Sequence, residues 1–131
     1  MTLIVIPISI ALFIIILFQM AFLYPLSEPL LNQLKLNIVE ALKGVYDPEI
    51  PVNIYDLGLI YNININPQGS VKIEMTLTTP GCPVAQTFPN MVENVVNNVP
   101  GVANTCVELV WDPPWTTEKM SEAAKLQLNM L

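Results

Sequence analysis

The alternation of apolar and polar residues predicts a β-hairpin in the middle of the chain. From Leu59 to Asn66 the odd positions are apolar and most even positions are Asn. Residues 67–70, Pro-Gln-Gly-Ser, supply a turn, and from Val71 to Thr78 apolar residues alternate again with polar ones. A period of two predicts strands with one buried face and one polar face.

Apolar residues at helical spacing predict helices on both sides of this hairpin. The first helix begins at Ser27-Glu28-Pro29, which combines a capping hydroxyl, an early acidic residue and an early proline, and it ends at Gly44. A second helix covers about Val84 to Val99, where Pro89 predicts either a kink or a short first piece. A last helix is predicted from a cap at Thr117 to about Asn129.

A third strand is predicted from Val102 to Trp111. Helices and strands in this order predict an α+β fold, a small two-layer sandwich with helices packed on one face of a mixed three-stranded sheet. An apolar N-terminal helix precedes it. Cys106 stands among apolar residues of the third strand, so we expect it to behave as a small buried hydrophobe.

The N-terminal segment is strongly apolar. Of the 22 residues from Leu3 to Tyr24, 19 are apolar and none is charged. This length suits a transmembrane helix, so one interpretation is an anchor in the inner or plasma membrane through residues 3–24. The alternatives are a mis-called start, with Met20 as the true one, and a signal peptide, which fits less well because no basic residue precedes the apolar run. The chain divides into residues 1–26 and a domain of residues 27–131. The first basic residues, Lys35 and Lys43, follow the apolar run, so the positive-inside rule predicts a cytoplasmic domain.

Composition excludes several classes of function. The 131 residues carry a net charge of −6, with two cysteines, no His and no Arg. An acidic chain without Arg lacks the basic surface that nucleic acid requires. Without His there is no Ser-His-Asp or Cys-His pair. Two cysteines are also too few for a disulfide framework.

Cys82 is the strongest candidate for chemistry. It follows the second strand, stands behind Pro80-Gly81 and precedes Pro83, which suits the first position of a helix. We therefore expect Cys82 at the N-cap, where unpaired backbone N–H groups and the helix dipole favour the thiolate. The alternative is a small capping residue without chemistry.

Two further groups of residues are candidate sites. Three carboxylates, Asp47, Glu49 and Asp56, lie in a proline-stiffened loop. They could bind a cation or present an acidic surface. The favoured alternative is that Asp47 and Asp56 bond local N–H groups in turns. The second group is a rigid loop that could form a partner surface or cover the edge of the core; it consists of Trp111, Pro113, Pro114 and Trp115.

Three segments together resemble the SufT-type iron–sulfur cluster assembly proteins. They are YDPEIPVNIYDLGLIY (Tyr46–Tyr61), MTLTTPGCPVA (Met75–Ala85) and VELVWDPPWTTEKMSEAAK (Val107–Lys125). The wider family includes the cytosolic iron–sulfur targeting proteins and the PaaD-like proteins. The resemblance covers about residues 30–131.

The resemblance implies a compact, non-catalytic α+β domain that helps to mature iron–sulfur proteins in the cytosol. It assigns the functional thiol and transient metal ligand to Cys82, and makes the acidic residues Asp47, Glu49 and Asp56 signature positions. The expected partners are the iron–sulfur assembly machinery and client apoproteins. The alternative is a PaaD-like subunit or maturation factor dedicated to one phenylacetate-degradation oxygenase complex.

The residues also limit how a cluster could be held. Iron–sulfur clusters usually take four protein ligands, and one thiolate without His cannot supply them. We therefore expect no stably bound cofactor. A transient cluster would be shared with a client, a small thiol or a second copy of the chain in a homodimer. A thiol enzyme fits less well, because Cys82 has no His to act as its base.

Overall fold

The structure, a computed structural model, describes residues 7–23, 27–81 and 83–130. Within these residues it contains four α-helices and three β-strands. The helices are α1 (Ile8–Leu23), α2 (Glu28–Leu42), α3 (Phe88–Asn97) and α4 (Glu122–Gln127). The strands are β1 (Ile60–Ile65), β2 (Ser70–Met75) and β3 (Asn104–Leu109).

The three strands form one mixed sheet in the order β1-β2-β3. β1 and β2 form the predicted antiparallel hairpin, and β3 runs parallel to β2. The register shifts between Ile60 and Asn62, so Tyr61 has no partner directly opposite on β2. Such a bulge bends the strand and increases its local twist. The predicted mixed three-stranded sheet is confirmed.

Helices α2 and α3 cover one face of the sheet, as predicted. Alternate residues of β2 point into this layer and are buried, whereas Lys72 between them is exposed on the opposite face. Burying these apolar side chains supplies most of the driving force for folding. The residues buried between the sheet and the two helices include Val71, Ile73, Met75, Leu34, Ile38, Leu42, Val92 and Val96.

The predicted second helix is split into two pieces. A 3₁₀ helix spans Pro83–Gln86, and α3 begins at Phe88 with Pro89 in its first turn. Proline lacks an N–H group and is tolerated at the first positions of a helix, so it starts α3 rather than bending a continuous helix. The alternative of a short first piece is therefore confirmed. In α2, Ser27 occupies the predicted N-cap position, but its side chain makes no capping hydrogen bond.

The prediction of one C-terminal helix capped by Thr117 was wrong. Residues Thr117–Lys119 form a 3₁₀ helix, Met120 is extended, and α4 starts after Ser121. The Ser121 hydroxyl accepts a hydrogen bond from the Ala124 N–H at 3.1 Å. Met120 is buried, and the Ser121 N–H donates to the Asp56 carbonyl oxygen at 2.8 Å. These long-range contacts hold the chain extended where local propensity favours helix.

The apolar N-terminal segment forms α1, which has 16 residues. Its described side chains from Ile8 to Met20 are exposed, apart from half-buried Ala11. It packs against none of the other described helices and strands. In the part of the chain that the structure describes, no helix has both the length and the hydropathy needed to cross a bilayer. Residues 3–6 and 24 of the predicted spanning segment lie outside the described residues.

Candidate functional site

The predicted reactive residue, Cys82, lies outside the described residues, as does its predicted N-cap geometry. Its neighbours are described. Gly81 has a φ of +79°, and among the described residues no atom outside Gly81 and its chain neighbours lies within 4 Å of the position that a Cβ would occupy there. A positive φ favours glycine, and the open space beside Gly81 leaves room for another molecule to approach this turn.

The segment after Cys82 is tied to the core. Ala85 in the 3₁₀ helix packs against the buried cluster, and Phe88 at the start of α3 is buried. Leu77, at the end of the preceding strand region, is buried as well. Buried apolar side chains therefore anchor the described segments before and after Cys82 in the core.

Asp47 organises the loop that carries the acidic residues. Its Oδ1 accepts hydrogen bonds from the backbone N–H groups of Glu49 and Ile50, both at 2.9 Å. This local bonding is what the turn interpretation predicts for an aspartate. The Glu49 side chain is exposed. Asp47 therefore shapes the loop, whereas Glu49 is the carboxylate that this loop presents to solvent.

Asp56 makes a different set of contacts. Its Oδ2 accepts a hydrogen bond from the Asn53 Nδ2 at 2.7 Å, and its backbone N–H donates to the Asn53 Oδ1 at 2.8 Å. The two side chains thus close the turn between them. Among the described residues, the Asp56 carboxylate bonds the side-chain amide of Asn53 and not a backbone N–H. The Asp56 carbonyl oxygen also holds the C-terminal segment through Ser121.

The three carboxylates do not form a cation site. Within residues 7–23, 27–81 and 83–130, no three side chains of His, Cys, Asp or Glu come close enough together to hold a metal ion. The interpretation of Asp47, Glu49 and Asp56 as a set of hard ligands is therefore wrong for the described residues.

The structure separates the two tryptophans of the predicted partner surface. Trp111 is exposed, as are Pro113 and Pro114. Trp115 is half-buried, packs against the core, and donates its Nε1–H to the Leu57 carbonyl oxygen at 2.7 Å. A partner surface therefore remains a prediction for Trp111, Pro113 and Pro114, whereas Trp115 covers the edge of the core.

Replacing Trp115 with phenylalanine is expected to lower the free energy of unfolding by about 1 kcal/mol, because it leaves the Leu57 carbonyl oxygen without its donor. The matched control is Trp111→Phe. Its ring is exposed, so the expected change is below about 0.5 kcal/mol. Urea unfolding followed by circular dichroism measures both, and equal losses in the two variants would rule out the assigned role of the hydrogen bond.

An open cavity of about 570 Å³ lies beside this loop. Tyr61 donates its hydroxyl to the Pro113 carbonyl oxygen at 2.8 Å, and the Lys119 Nζ lies 4.8 Å from the centroid of the Tyr61 ring. Burial, and next the charge of Asp112, raise the pKa of Tyr61. These contacts fix the loop against β1. The cavity is lined by Tyr55, Asp56, Gly58, Ile60, Tyr61, Pro113, Lys119 and Ser121.

Neither Tyr61 nor Lys119 was a predicted site residue. Tyr61 stands in the bulge of β1, and Lys119 comes 58 residues later in the chain. A cation over an aromatic ring stabilises a fold by about 0.5–1 kcal/mol at exposed sites. No local pattern marks such a pair, so only the three-dimensional structure identifies it.

The prediction that Cys106 is a buried hydrophobe was wrong. Cys106 is exposed, and it lies directly opposite Lys72 on the face of the sheet that the helices leave open. The Lys72 Nζ lies 3.2 Å from the Glu108 Oε2, and the hydrogen bond to Glu108 is the main cause that raises the pKa of Lys72. The signal was present in the sequence: if Val107 points inward, Cys106 points outward.

Comparison with known proteins gives consistent matches. A sequence family described as "Iron-sulfur cluster assembly protein" matches residues 35–109. The chain is 47% identical over 95 residues to an Fe-S protein maturation auxiliary factor of Porphyromonas gingivalis, covering 72% of this chain and 90% of that protein. It is 40% identical over 86 residues to the Fe-S protein maturation auxiliary factor SufT of Staphylococcus aureus, covering 66% of this chain and 98% of that protein.

A solved structure supports the same match at the level of the fold. A domain of unknown function from Bacillus anthracis is 37% identical in sequence and superposes with a TM-score of 0.70. The superposition covers 76% of this chain and 95% of that domain. The α+β architecture described above is therefore also that of a solved relative.

Proposed function

Because the chain belongs to the iron–sulfur cluster assembly protein family, as its likeness to SufT-type proteins predicted, we propose that it is an auxiliary factor in the maturation of iron–sulfur proteins. The observation that carries this proposal is the similarity to two maturation factors over 90% and 98% of their lengths. The iron–sulfur cluster is cargo in this proposal, and the partners are the assembly machinery and client apoproteins.

The ligand inventory supports a non-catalytic, transient role. The chain has two cysteines and no His, whereas iron–sulfur clusters usually take four protein ligands. Cys106 lies on the open face of the sheet, opposite Lys72. A cluster handled through Cys82 would therefore need ligands from a client, a small thiol or a second copy of the chain.

Cys82 carries the working thiol in this proposal. The open space beside Gly81 gives a client or cluster access to this part of the chain, and the buried Leu77 and Phe88 anchor the described segments before and after it. The acidic residues have supporting roles: Asp47 shapes its loop and Asp56 closes the turn with Asn53. Trp111, Pro113 and Pro114 remain the proposed partner surface.

The activity is assigned to residues 27–131, which contain the sheet, its covering helices and the matched family segment. The helix α1 contacts none of these elements in the described chain. We therefore expect a variant that begins at Met20 to retain the function, with the domain working in the cytoplasm.

The range of clients tests the proposal. Cells lacking this protein are expected to lose activity in several unrelated [4Fe–4S] enzymes while the amounts of those enzymes stay near normal. The measurement is enzyme activity together with iron content per polypeptide for at least three such enzymes. Loss confined to one multisubunit oxygenase would favour the PaaD-like alternative. Normal activity in every enzyme measured would contradict both the proposed general role and that alternative.

A further inference from the structure

The two edges of the sheet are protected differently. β1 and β3 are the outer strands. On β3, the Val107 N–H donates to the Glu93 Oε1 at 3.0 Å, so a carboxylate from α3 occupies the middle of that edge. β1 contains neither a proline nor a charged residue. Charges, prolines, bulges and covering side chains are the usual means of blocking an exposed edge. Among the described residues, the bulge at Tyr61 is the one such device on β1, and it lies before Ile63 and Ile65.

The backbone groups at the free edge can be assigned. The Asn66 N–H donates to the Ser70 carbonyl oxygen at 2.9 Å, and the register places Asn64 opposite Lys72. Hydrogen-bonded positions alternate along an antiparallel pair, so the even residues of β1 bond to β2. The N–H and C=O groups of Ile63 and Ile65 therefore point away from the sheet. Nothing in the described part of the chain forms a hydrogen bond with them.

We propose that the free edge of β1, at Ile63 and Ile65, binds an extended segment of a client apoprotein as a fourth strand. This inference rests on the proposed function. Where metal binding and folding are coupled, a segment that ligates a cluster lacks a fixed structure until the metal is bound. Addition of a strand recognises mainly the peptide backbone. It therefore suits a factor that must accept clients of different sequence.

Charge favours such a segment over a second copy of the chain. Two copies would each carry a net charge of −6 and would repel one another, whereas a neutral or basic segment meets no such repulsion. On the open face of the sheet, Asn62, Glu74 and Glu108 stand side by side on successive strands. Glu108 pairs with Lys72, while Glu74 forms no ion pair within the described residues. A lysine of the added strand beside Asn62 would lie in this acidic row.

Hydrogen exchange followed by nuclear magnetic resonance tests the proposal at the level of single amides. The protein is the full chain, and the probe is a ten-residue peptide covering one cluster-ligating cysteine of apo-aconitase, extended by a lysine. At saturating peptide, exchange at Ile63 and Ile65 is expected to slow by about tenfold or more. Exchange at Asn62 and Asn64 should not change, because these amides already bond to β2.

Two outcomes would overturn the proposal. One is peptide binding without added protection at Ile63 and Ile65. The other is protection at these amides that rises with protein concentration in the absence of peptide, which would identify a second copy as the occupant. The same peptide, N-methylated at alternate residues, is the control probe. It is expected to bind at least about tenfold more weakly if backbone hydrogen bonds carry the contact.

A matched pair of variants at one position separates the backbone from the side chain. Ile63→Pro removes the outward N–H, whereas Ile63→Ala shortens the side chain and keeps the N–H. The Pro variant is expected to bind the peptide about tenfold more weakly than the Ala variant. Equal affinities contradict the proposal. If Ile63→Pro does not fold, the affinities of the plain and N-methylated peptides for the unaltered chain test whether backbone hydrogen bonds carry the contact.

Failure of this inference is distinguishable from failure of the proposed function. If Ile63→Pro supports client maturation fully while Cys82→Ala does not, the maturation role stands and the fourth-strand contact falls. If removing the whole protein leaves all clients mature, the proposed function itself falls.

Discussion

Replacing Gly58 with alanine is expected to lower the free energy of unfolding by about 3 kcal/mol or more. Gly58 has a φ of +83°, and a Cβ there would overlap the Lys119 carbonyl oxygen, with the carbonyl carbon 2.7 Å away. The left-handed conformation alone costs a residue with a side chain about 1–2 kcal/mol. The overlap adds to this cost because backbone atoms cannot rotate away, so the segment around Ser121 must shift and weaken its bond to Asp56.

Gly81→Ala is the matched control for this prediction. Gly81 has a similar φ of +79°, but apart from its chain neighbours no described residue has an atom within 4 Å of a Cβ placed there. Only the conformational cost of about 1–2 kcal/mol is expected. Urea unfolding of both variants under the same conditions gives the difference directly. If the two variants lose the same stability, the close approach of Gly58 to Lys119 does not matter for folding.

The central part of the fold was predictable because its signals are local. Val71, Ile73 and Met75 alternate with polar residues, and this alternation alone indicated the buried face of β2. The turn at Asp47 is equally local, since its carboxylate bonds N–H groups two and three residues later. Cys106 is exposed despite its apolar neighbours because the period-two pattern that points Val107 and Leu109 inward points Cys106 outward.

Contacts between distant segments were not predictable from the sequence pattern. The Trp115 indole donates to Leu57, 58 residues earlier in the chain, and the extended conformation before Ser121 depends on its bond to Asp56. Neither partner is marked by spacing or composition. The start of α4 and the inward orientation of Trp115 therefore required the structure, as tertiary contacts commonly override local preference.

Cys82→Ala is expected to abolish client maturation, so that aconitase activity falls to the level of cells lacking the protein. The physical reason is that alanine cannot ligate iron or form a thiolate, and the proposed function rests on that one thiol. The variant is expected to remain folded, because the core formed by the sheet, α2 and α3 is unaltered. Circular dichroism and the amount of protein in the cell check this point.

Cys106→Ala is the matched control, because it also removes one thiol from the chain. Cys106 is exposed on the open face of the sheet, and no part of the proposed mechanism uses it. Full activity is expected with this variant, and also with the chain that starts at Met20. Equal loss in both cysteine variants would indicate a general dependence on thiols rather than a specific role of Cys82.

The most direct test of the account is aconitase activity in cells that lack this protein and express one of these variants at matched levels. We expect the unaltered chain, Cys106→Ala and the Met20 start to restore the activity, and Cys82→Ala to leave it at the deletion level. Full restoration by Cys82→Ala would contradict the central claim, because the thiol would then not be the working group.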